Sequence, residues 1–576
     1  MNQSKFWVNI VSLLISLLGT LPAIAQTSPG YQFPNPILPT PLPSPQLPFP
    51  QPPSPLKVPP SLAPSAPEVP TGLSGTFTVR QFKFEGSKAF STNQLQEAVA
   101  PFTGHPITLK ELKQALDAIN MLYLKAGYLT SGIRIPGSLN RQRQSSSNVV
   151  FTIRVIEAQV EQINVLGSAR LQSYVRARLE RAASPALNEE RLLDAIRFLQ
   201  RDPLIKTISA ELLPGSQQGQ WIVGVRITPR PPLSVQVGLD NNRSPAVGSL
   251  QRRVSFSDNN LLGRGDRLRL GYFNTQGSNA GTASYTLPYN TSNGTLQFAT
   301  SILASRIIEN PFNQIDLLSN FRSYELTVRQ PLSRTATQRS TQEFALGLTA
   351  SRQESEASLL GVPFPLSAGA DAQGRTRISA VRFFQEYSRQ SNKQTLALRS
   401  QLSAGLNLGS TINPQPPDSR FFSWRGEGQY ARLMARDTPL LVGFGVQASD
   451  RSLVPIEQLS LGGPDTVRGY RKDLILANSG AFASIETRFP ILRSSRLPGL
   501  LQVAPFFDFG TSFDGKQGFN LNQHHTLASV GVGLRWQVAN ELFMRLDYGI
   551  PLVSVPAQGD SLQAQGVSFA VYYNPL

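Results

Sequence analysis

The sequence contains no cysteine and only three histidines among its 576 residues. The lack of cysteine excludes disulfides, thiolate metal ligands and cysteine nucleophiles, and it suits a protein that crosses an oxidising compartment without mispaired thiols. The three histidines are too few and too scattered for a catalytic triad or a histidine-based metal cluster: His105, His524 and His525. We therefore expect no cofactor, no metal site and no enzymatic activity.

The chain has no long apolar run, and the apolar run near its start is short. Residues 1–25 combine the positive Lys5, a short apolar run at 10–18 and the small-x-small sequence Ala23-Ile24-Ala25, which together predict a cleaved secretory signal peptide. The alternative, a membrane anchor, needs about 20 apolar residues to span a bilayer. No later segment reaches about 18 uninterrupted apolar residues, so an exported soluble protein and an outer-membrane barrel remain.

Charged residues make up only 16% of the chain, yet the formal net charge is +17. Such an excess indicates a nucleic acid partner, an anionic surface or a basic channel wall. The chain has no basic helix, finger or aromatic-basic module of the kind that binds nucleic acid, so we expect no nucleic acid partner.

Residues 28–70 form a proline-rich tract within a predicted linker at 26–75. Proline has no backbone N–H and clashes with the preceding turn of a helix, so the tract is predicted to be polyproline II or disordered. A semi-rigid spacer is the simpler interpretation, and a docking or wall-spanning arm is the alternative.

Two α+β units are predicted next, at 76–157 and 158–230, each with the element order βααββ. The strand end Gln81–Gly86 in the first unit aligns with Gln162–Gly167 in the second, 81 residues later. A repeated element order at a fixed spacing indicates a duplicated domain.

From 231 to 576 helical periodicity gives way to period-two alternation. Sixteen candidate strands lie near 234–241, 251–258, 266–274, 280–288, 295–304, 322–330, 341–351, 376–388, 394–404, 420–434, 439–449, 480–489, 501–513, 526–536, 541–549 and 566–573. The even count and the alternation of long and short connections are typical of bacterial outer-membrane barrels. The alternative is a soluble β-sandwich, which would bury one face of each sheet and has no reason to alternate its loop lengths so regularly.

Alternate residues of a barrel strand face lipid and lumen. The strand at 526–536 puts Val530 and Val532 opposite Arg535, and an arginine on the lipid face costs roughly 2–4 kcal/mol at the bilayer midplane. The charged face is therefore the lumen. The same rule gives lumen positions to further charged residues and to one glycine: Arg545, Asp547, Glu486, Arg488, Asp508 and Gly510.

The long connection at 450–479 carries the tetrapeptide Val467-Arg-Gly-Tyr470. Gly469 permits a positive φ or a close backbone approach, so Arg468 can be directed into a confined space. A loop of this length can fold into the lumen and place Arg468 against Asp508 on the thirteenth strand. The alternative is that Asp508 pairs with an arginine of the wall and Arg468 stays solvated.

These features together resemble the two-partner secretion transporters of the ShlB/FhaC haemolysin secretion and activation type. That superfamily also includes the barrel-assembly factor BamA and chloroplast import channels. The resemblance covers residues 76–576, and its most specific parts are Val467–Tyr470, Phe507–Gly510, Leu239–Asn242 and Asn260–Asp266. It implies two periplasmic POTRA domains followed by a 16-stranded antiparallel transmembrane β-barrel in the outer membrane, at 231–576.

The resemblance also implies the function. The POTRA domains would capture an unfolded exoprotein after its export to the periplasm, with Ile205–Leu213 as a candidate strand edge for β-augmentation. The exoprotein, a β-helical adhesin or cytolysin, would pass through the lumen of a monomeric barrel embedded in outer-membrane lipid. The latch residues would be Val467, Arg468, Gly469 and Tyr470, with Asp508 and Gly510 opposite them and Glu486 and Arg488 as charges on a lumen strand.

Two features depart from the family pattern. Members often carry an N-terminal helix that plugs the barrel, which the proline-rich tract cannot form, and related channels often end in an aromatic residue, whereas this chain ends Asn574-Pro-Leu576. The alternative function is an assembly factor that inserts barrels into the membrane. A diffusion porin would leave the tetrapeptide and the repeated units unexplained.

Overall fold

The structure is a computed structural model that describes residues 56–57, 76–128, 131–135, 147–217, 219–310, 312–337, 339–494, 499–513, 526–539, 541–556 and 559–575. Three predicted features lie outside the described residues: the signal peptide, most of the proline-rich linker and the pair His524-His525. The expectation that the linker forms no plug helix therefore stays a prediction. Within the described residues no helix is long and apolar enough to cross a membrane.

The first N-terminal unit packs two helices on a four-stranded sheet. Its elements in chain order are a strand at Thr76–Glu85, a helix at Thr92–Val99, a strand at Pro106–Thr108, a helix at Leu109–Lys125 and strands at Gly132–Arg134 and Ser147–Ile156. Both helices begin with a capping box, at Ser91 and at Thr108, where a side chain satisfies the free N–H groups of the first turn. The βααββ pattern did not include Pro106–Thr108, because three residues are too short to show a strand period.

The second unit repeats the order βααββ without the extra strand. Its elements are Gln159–Leu166, the helices Ala169–Ala183 and Glu189–Gln200, and the strands Ile205–Pro214 and Gln220–Pro229. The strand Ile205–Pro214 lies toward the outer edge of the sheet, where the two-residue strand Leu56–Lys57 pairs with it in parallel at Ala210 and Glu211. The candidate capture edge is therefore partly covered by the chain's own linker.

Sixteen antiparallel strands close into a barrel, as the sequence predicts. We number them 1 to 16 in chain order: Leu233–Asp240, Gln251–Asp258, Arg267–Asn274, Ser278–Pro288, Thr295–Arg306, Leu317–Ala336, Ser340–Leu359, Arg375–Ser391, Gln394–Leu406, Phe422–Ala435, Thr438–Ser449, Gly480–Thr487 continued by Phe489–Ser494, Gly499–Ser512, Thr526–Val538, Leu542–Pro551 and Val567–Tyr573. Strand 16 pairs with strand 1, which leaves no open edge.

The two faces of the wall have opposite character. Apolar side chains such as Leu270, Val532 and Phe507 point outward and are exposed, as expected for a surface that lipid covers. On the inner face, Arg535, Asp547 and further charged residues are buried, because loops and opposite side chains fill the space around them. The predicted assignment of the charged face to the lumen is thus what the structure shows.

Two polar segments singled out at the start of the barrel have structural roles. The Asn241 amide accepts a hydrogen bond from the Phe569 N–H (2.7 Å) and donates one to the Val567 carbonyl (3.0 Å), and so joins strand 16 to the end of strand 1. In the connection 259–265, the carbonyl oxygens of Asn260 and Leu261 accept hydrogen bonds from Arg170 of the second unit (3.0 and 2.9 Å). The second unit therefore lies against the end of the barrel that carries the short turns.

Candidate functional site

Residues 450–479, the connection between strands 11 and 12 and here called loop 6, fold back into the barrel. Two short strands, Leu459–Leu461 and Ile475–Ala477, pair to form a hairpin inside the loop. The apolar side chains of Leu461, Val467 and Tyr470 are buried in a small cluster with Leu527 of strand 14. Loop 6 is thus a packed element with its own core rather than a solvated connection.

Arg468 lies at the tip of this fold and contacts Asp508 of strand 13. The Nε and Nη2 atoms of Arg468 donate hydrogen bonds to the two Asp508 carboxylate oxygens, at 2.7 and 2.8 Å. The backbone N–H of Arg468 donates a third, at 3.0 Å. The two side chains are only 6% and 1% exposed. The structure thus brings together the two residues that the sequence analysis paired, in the bidentate geometry that suits a guanidinium and a carboxylate.

The Arg468 guanidinium also contacts other side chains of the wall. Its Nη1 atom donates to Glu486 of strand 12 at 2.5 Å, and its Nη2 atom donates to the Ser484 hydroxyl at 3.1 Å. The guanidinium carbon lies 3.5 Å from the centre of the Phe506 ring, within the range of a cation–π contact. The Nε atom of Arg488 donates to Glu486 at 2.8 Å, so Arg488 pairs with the same carboxylate as Arg468.

Glycine at three positions allows the loop backbone to approach the wall. Gly469 has a φ of +88°, and a Cβ built there would lie 3.0 Å from the backbone of Gly549 in strand 15. A Cβ on Gly510 would lie 2.8 Å from a methyl group of Val467. Both distances are shorter than ordinary van der Waals contacts, so side chains at these positions would displace the loop.

Tyr470 fixes the loop to two further segments through its hydroxyl group. This hydroxyl lies 2.8 Å from the Ala528 carbonyl and 2.9 Å from the Val553 carbonyl, and it donates a hydrogen bond to one of them. It also accepts hydrogen bonds from the backbone N–H groups of Ala528 (3.4 Å) and Val553 (3.2 Å). The single hydroxyl therefore bridges strand 14 and the segment after strand 15.

Sequence reasoning placed Arg535 and Asp547 on the lumen face but did not assign them to this site. The structure brings both into it: an Asp547 oxygen lies 2.6 Å from Arg535 and 3.6 Å from Arg468, and Arg535 lies 2.7 Å from Glu486. Arg545 also pairs with Asp547. The two-residue period of a strand assigns these side chains to the lumen face. It does not say which of them are in contact, because contacts between strands depend on their register.

The site is therefore a cluster of four arginines and three carboxylates, all buried except the half-buried Arg488 and Arg545: Arg468, Arg488, Arg535, Arg545, Asp508, Glu486 and Asp547. Charges removed from water in this way are tolerated only when each is paired, and removing one partner leaves an uncompensated charge. Nothing in the cluster resembles a nucleophile with its base, and no group of His, Asp and Glu in the described ranges could hold a metal ion. The arrangement can hold a loop against the barrel wall.

Comparison with known proteins gives the family. The model of the haemolysin secretion/activation protein ShlB/FhaC/HecB matches residues 219–536, and that of the ShlB-type POTRA domain matches residues 77–157. The chain is 23% identical over 505 residues to the outer membrane transporter CdiB of Dickeya dadantii (strain 3937), with 84% of each chain covered.

Solved structures show the same fold. CdiB from Escherichia coli superposes with a TM-score of 0.65 at 20% identity, covering 89% of this chain and 94% of that one. BamA from Haemophilus ducreyi, lacking POTRA domains 1–3, gives a TM-score of 0.50 at 14% identity, covering 87% and 100%. The family match extends over more than half of the chain and favours secretion over barrel assembly. The chain therefore belongs to the ShlB/FhaC/HecB family of haemolysin secretion/activation proteins, and it is an outer-membrane channel of two-partner secretion whose POTRA domains lie in the periplasm.

Proposed function

We propose that Arg468 and Asp508 form a latch that holds loop 6 inside the lumen and that export of the partner protein depends on this latch. The observation that carries the proposal is the set of three hydrogen bonds, at 2.7 to 3.0 Å, that Arg468 directs to one buried carboxylate. The family function supplies the reason for a latch, because a secretion channel must stay closed to small solutes and open to a polypeptide.

The energetics of the cluster suit a latch. Breaking a buried ion pair by removing one partner typically costs about 3–5 kcal/mol, since the other charge is left buried and unpaired. Moving the intact pair apart into water costs less, because each charge is rehydrated as it leaves. Loop 6 is thus held firmly while its contacts are dry, and it is released when water or a hydrated polypeptide reaches them.

We propose that the exported partner enters unfolded and follows the inner wall. Strands 6 to 10 offer paired charges there, including Arg329 with Glu343 (2.8 Å) and Arg425 with Glu427 (2.6 Å). Charges that are already paired keep this part of the wall wettable and hold a passing chain less strongly than free charges would. The apolar outer face, with residues such as Leu270 and Tyr272, supports contact with outer-membrane lipid by a single barrel.

Capture of the partner is assigned to the POTRA domains, and the strand Ile205–Pro214 is our candidate for the docking edge. Its neighbour on the outer side is only the two-residue strand Leu56–Lys57, so most of its outer backbone groups are free of a sheet partner in the described residues. An extended segment of the exoprotein can add there by β-augmentation. A β-helical exoprotein of adhesin or cytolysin type fits this mode, because its unfolded chain is rich in strand-forming segments.

The proposal is tested by exporting the partner from cells that carry Arg468→Ala. We expect the barrel to insert normally, judged by its heat-modifiable migration, while export of the partner into the medium falls at least about tenfold, the change expected from losing a charged hydrogen bond. Arg425→Ala is the matched control, because Arg425 is also a paired lumen arginine but its ion-pair partner is Glu427 of its own strand. Export at the wild-type level by the Arg468 variant would refute the latch.

A further inference from the structure

Loop 6 contacts the barrel wall at a second place, far from Arg468. Glu457 ends the one-turn helix Pro455–Glu457 near the base of the loop. Its two carboxylate oxygens accept hydrogen bonds from the Nη1 and Nη2 atoms of Arg382 in strand 8, at 3.0 and 2.5 Å. The two side chains are 13% and 8% exposed, so this is a largely buried bidentate ion pair between the loop and the wall.

An apolar cluster joins the same two segments of the chain. Leu453 and Val454 of loop 6 are buried against Ile378 and Ala380 of strand 8 and against Phe421. Loop 6 and strand 8 are therefore held together by apolar packing as well as by the ion pair.

The backbone of Glu457 is held as well as its side chain. The side-chain amide of Gln447 in strand 11 donates a hydrogen bond to the Glu457 carbonyl oxygen at 3.0 Å. Arg382 is oriented in turn by a hydrogen bond from its Nη1 atom to the Ser403 hydroxyl of strand 9, at 3.3 Å. Three strands of the wall thus contribute to one attachment of the loop.

The second place is separate from the Arg468 cluster along the chain and around the barrel. Ten residues lie between Glu457 and Arg468, and strands 9, 10 and 11 separate strand 8 from strands 12 to 15, which hold the Arg468 cluster. The loop therefore crosses the lumen from one part of the wall to another. The ion pair Arg471–Glu309 (2.7 Å) joins loop 6 to another connection rather than to the wall.

We propose that Arg382 and Glu457 are positioning residues of a second attachment, which holds the base of loop 6 across the lumen and narrows the resting pore. Two attachments on one loop reinforce each other. When one attachment opens, the other keeps the separated residues close enough to pair again. Opening at Arg468 alone therefore leaves the lumen obstructed, and the loop leaves it only when the Arg382–Glu457 pair also separates. The link to export rests on the proposed function, whereas the effect on pore width does not.

The test measures the pore without any exported protein. Full-length variants Glu457→Ala, Arg382→Ala and the double variant are placed in planar lipid bilayers, and ion currents are recorded in potassium chloride. We expect each single variant to raise the frequency of large-conductance openings about tenfold, as expected for loss of a charged hydrogen-bonded pair. The double variant should open no more often than the more active single variant, because the pair acts as one unit.

The matched control is Glu427→Ala in strand 10, which removes a lumen carboxylate whose ion-pair partner, Arg425, lies on the same strand. We expect its currents to resemble those of the wild type. Because the chain has no cysteine, a single spin label at Ser452→Cys reports the mobility of loop 6 directly. Its spectrum should sharpen in the Glu457 variant and not in the Glu427 variant.

The variant Glu457→Gln keeps the size of the side chain, and residue 457 lies in a loop. It therefore removes the ion pair without disturbing the fold. The proposal is overturned if Glu457→Ala and Glu457→Gln both leave the currents and the spin-label spectrum as in the wild type, or if Glu427→Ala changes them equally. Normal export by Arg468→Ala would contradict the proposed latch alone, since the current measurements need no exported partner.

Discussion

Replacing Gly549 by alanine should release loop 6 although every charged residue stays in place. Gly549 faces the lumen on strand 15, and a Cβ built on it would lie 2.6 Å from the backbone nitrogen of Gly469 and 2.8 Å from its Cα. The atoms on both sides belong to backbones, so neither can rotate away as a flexible side chain would. The loop must therefore move, and the adjacent Arg468 must move with it.

The size of the effect follows from the contacts. Forcing one extra methyl group into a packed contact typically costs about 1–3 kcal/mol. Such a cost changes a two-state equilibrium by roughly 5- to 150-fold. A shift of this loop would also lengthen the hydrogen bonds from Arg468 to Asp508, which now measure 2.7 to 3.0 Å. We expect the equilibrium constant for docking of loop 6 to fall by a factor in that range.

Hydrogen exchange at the Arg468 backbone amide reports this population, because its N–H donates to Asp508 only while the loop is docked. Exchange of peptides covering 462–474 should accelerate by the same factor as the undocked population grows. Gly443→Ala in strand 11 is the matched control, because a Cβ built on Gly443 meets nothing within 4 Å. If the peptides covering 462–474 exchange in Gly549→Ala at the wild-type rate, docking of the loop does not depend on its close fit to strand 15.

Three other predictions concern separate parts of the chain. Tyr470→Phe should accelerate exchange of the Ala528 amide and weaken docking of loop 6 by about 1 kcal/mol, since the bridging hydroxyl is lost; an unchanged exchange profile would contradict this. Deleting 28–70 should preserve barrel insertion, and loss of heat-modifiable migration would refute the spacer interpretation of the tract. Glu157→Ala should loosen the first POTRA unit, because the Glu157 carboxylate accepts a hydrogen bond from buried Tyr123 (2.8 Å) and two from backbone N–H groups. The expected loss in the stability of this unit is about 1–3 kcal/mol. Unaltered hydrogen exchange in Thr76–Glu85 would contradict the prediction.

The barrel was predictable because its signal is local. Each strand shows a two-residue period, and the period alone assigns residues such as Asp508 and Phe507 to opposite faces. The sequence prediction makes strands 6 and 7 shorter than they are in the structure, because the hairpin they form extends beyond the apolar band of the barrel. Its outer part pairs polar residues such as Asn320 and Glu356, where alternation of apolar residues no longer marks the strand.

The site was predictable only in part, and the reason is physical. A glycine-flanked arginine in a long loop and a carboxylate on the lumen face identify Arg468 and Asp508. Several other charges satisfy the same parity, and parity does not say which of them meet. Asp547 joins the cluster because strand 15 lies two strands from strand 13, and Arg382 meets Glu457 because the base of the loop passes strand 8. Both contacts depend on how the barrel closes, which no local pattern encodes.

The structure also explains why the tetrapeptide acts as one unit. Val467 packs against Gly510 and Arg468 pairs with Asp508, both on strand 13. Gly469 lies against Gly549 of strand 15, and the Tyr470 hydroxyl bonds to the backbone of strand 14. Arg468 also bonds to Glu486 of strand 12. Four successive residues thus contact four adjacent strands, and each contact requires the others to be in register. We therefore expect a change at any of the four to disturb the remaining three. In the proposed latch, the fit of the loop backbone to the glycines of the wall is then as necessary as the ion pair.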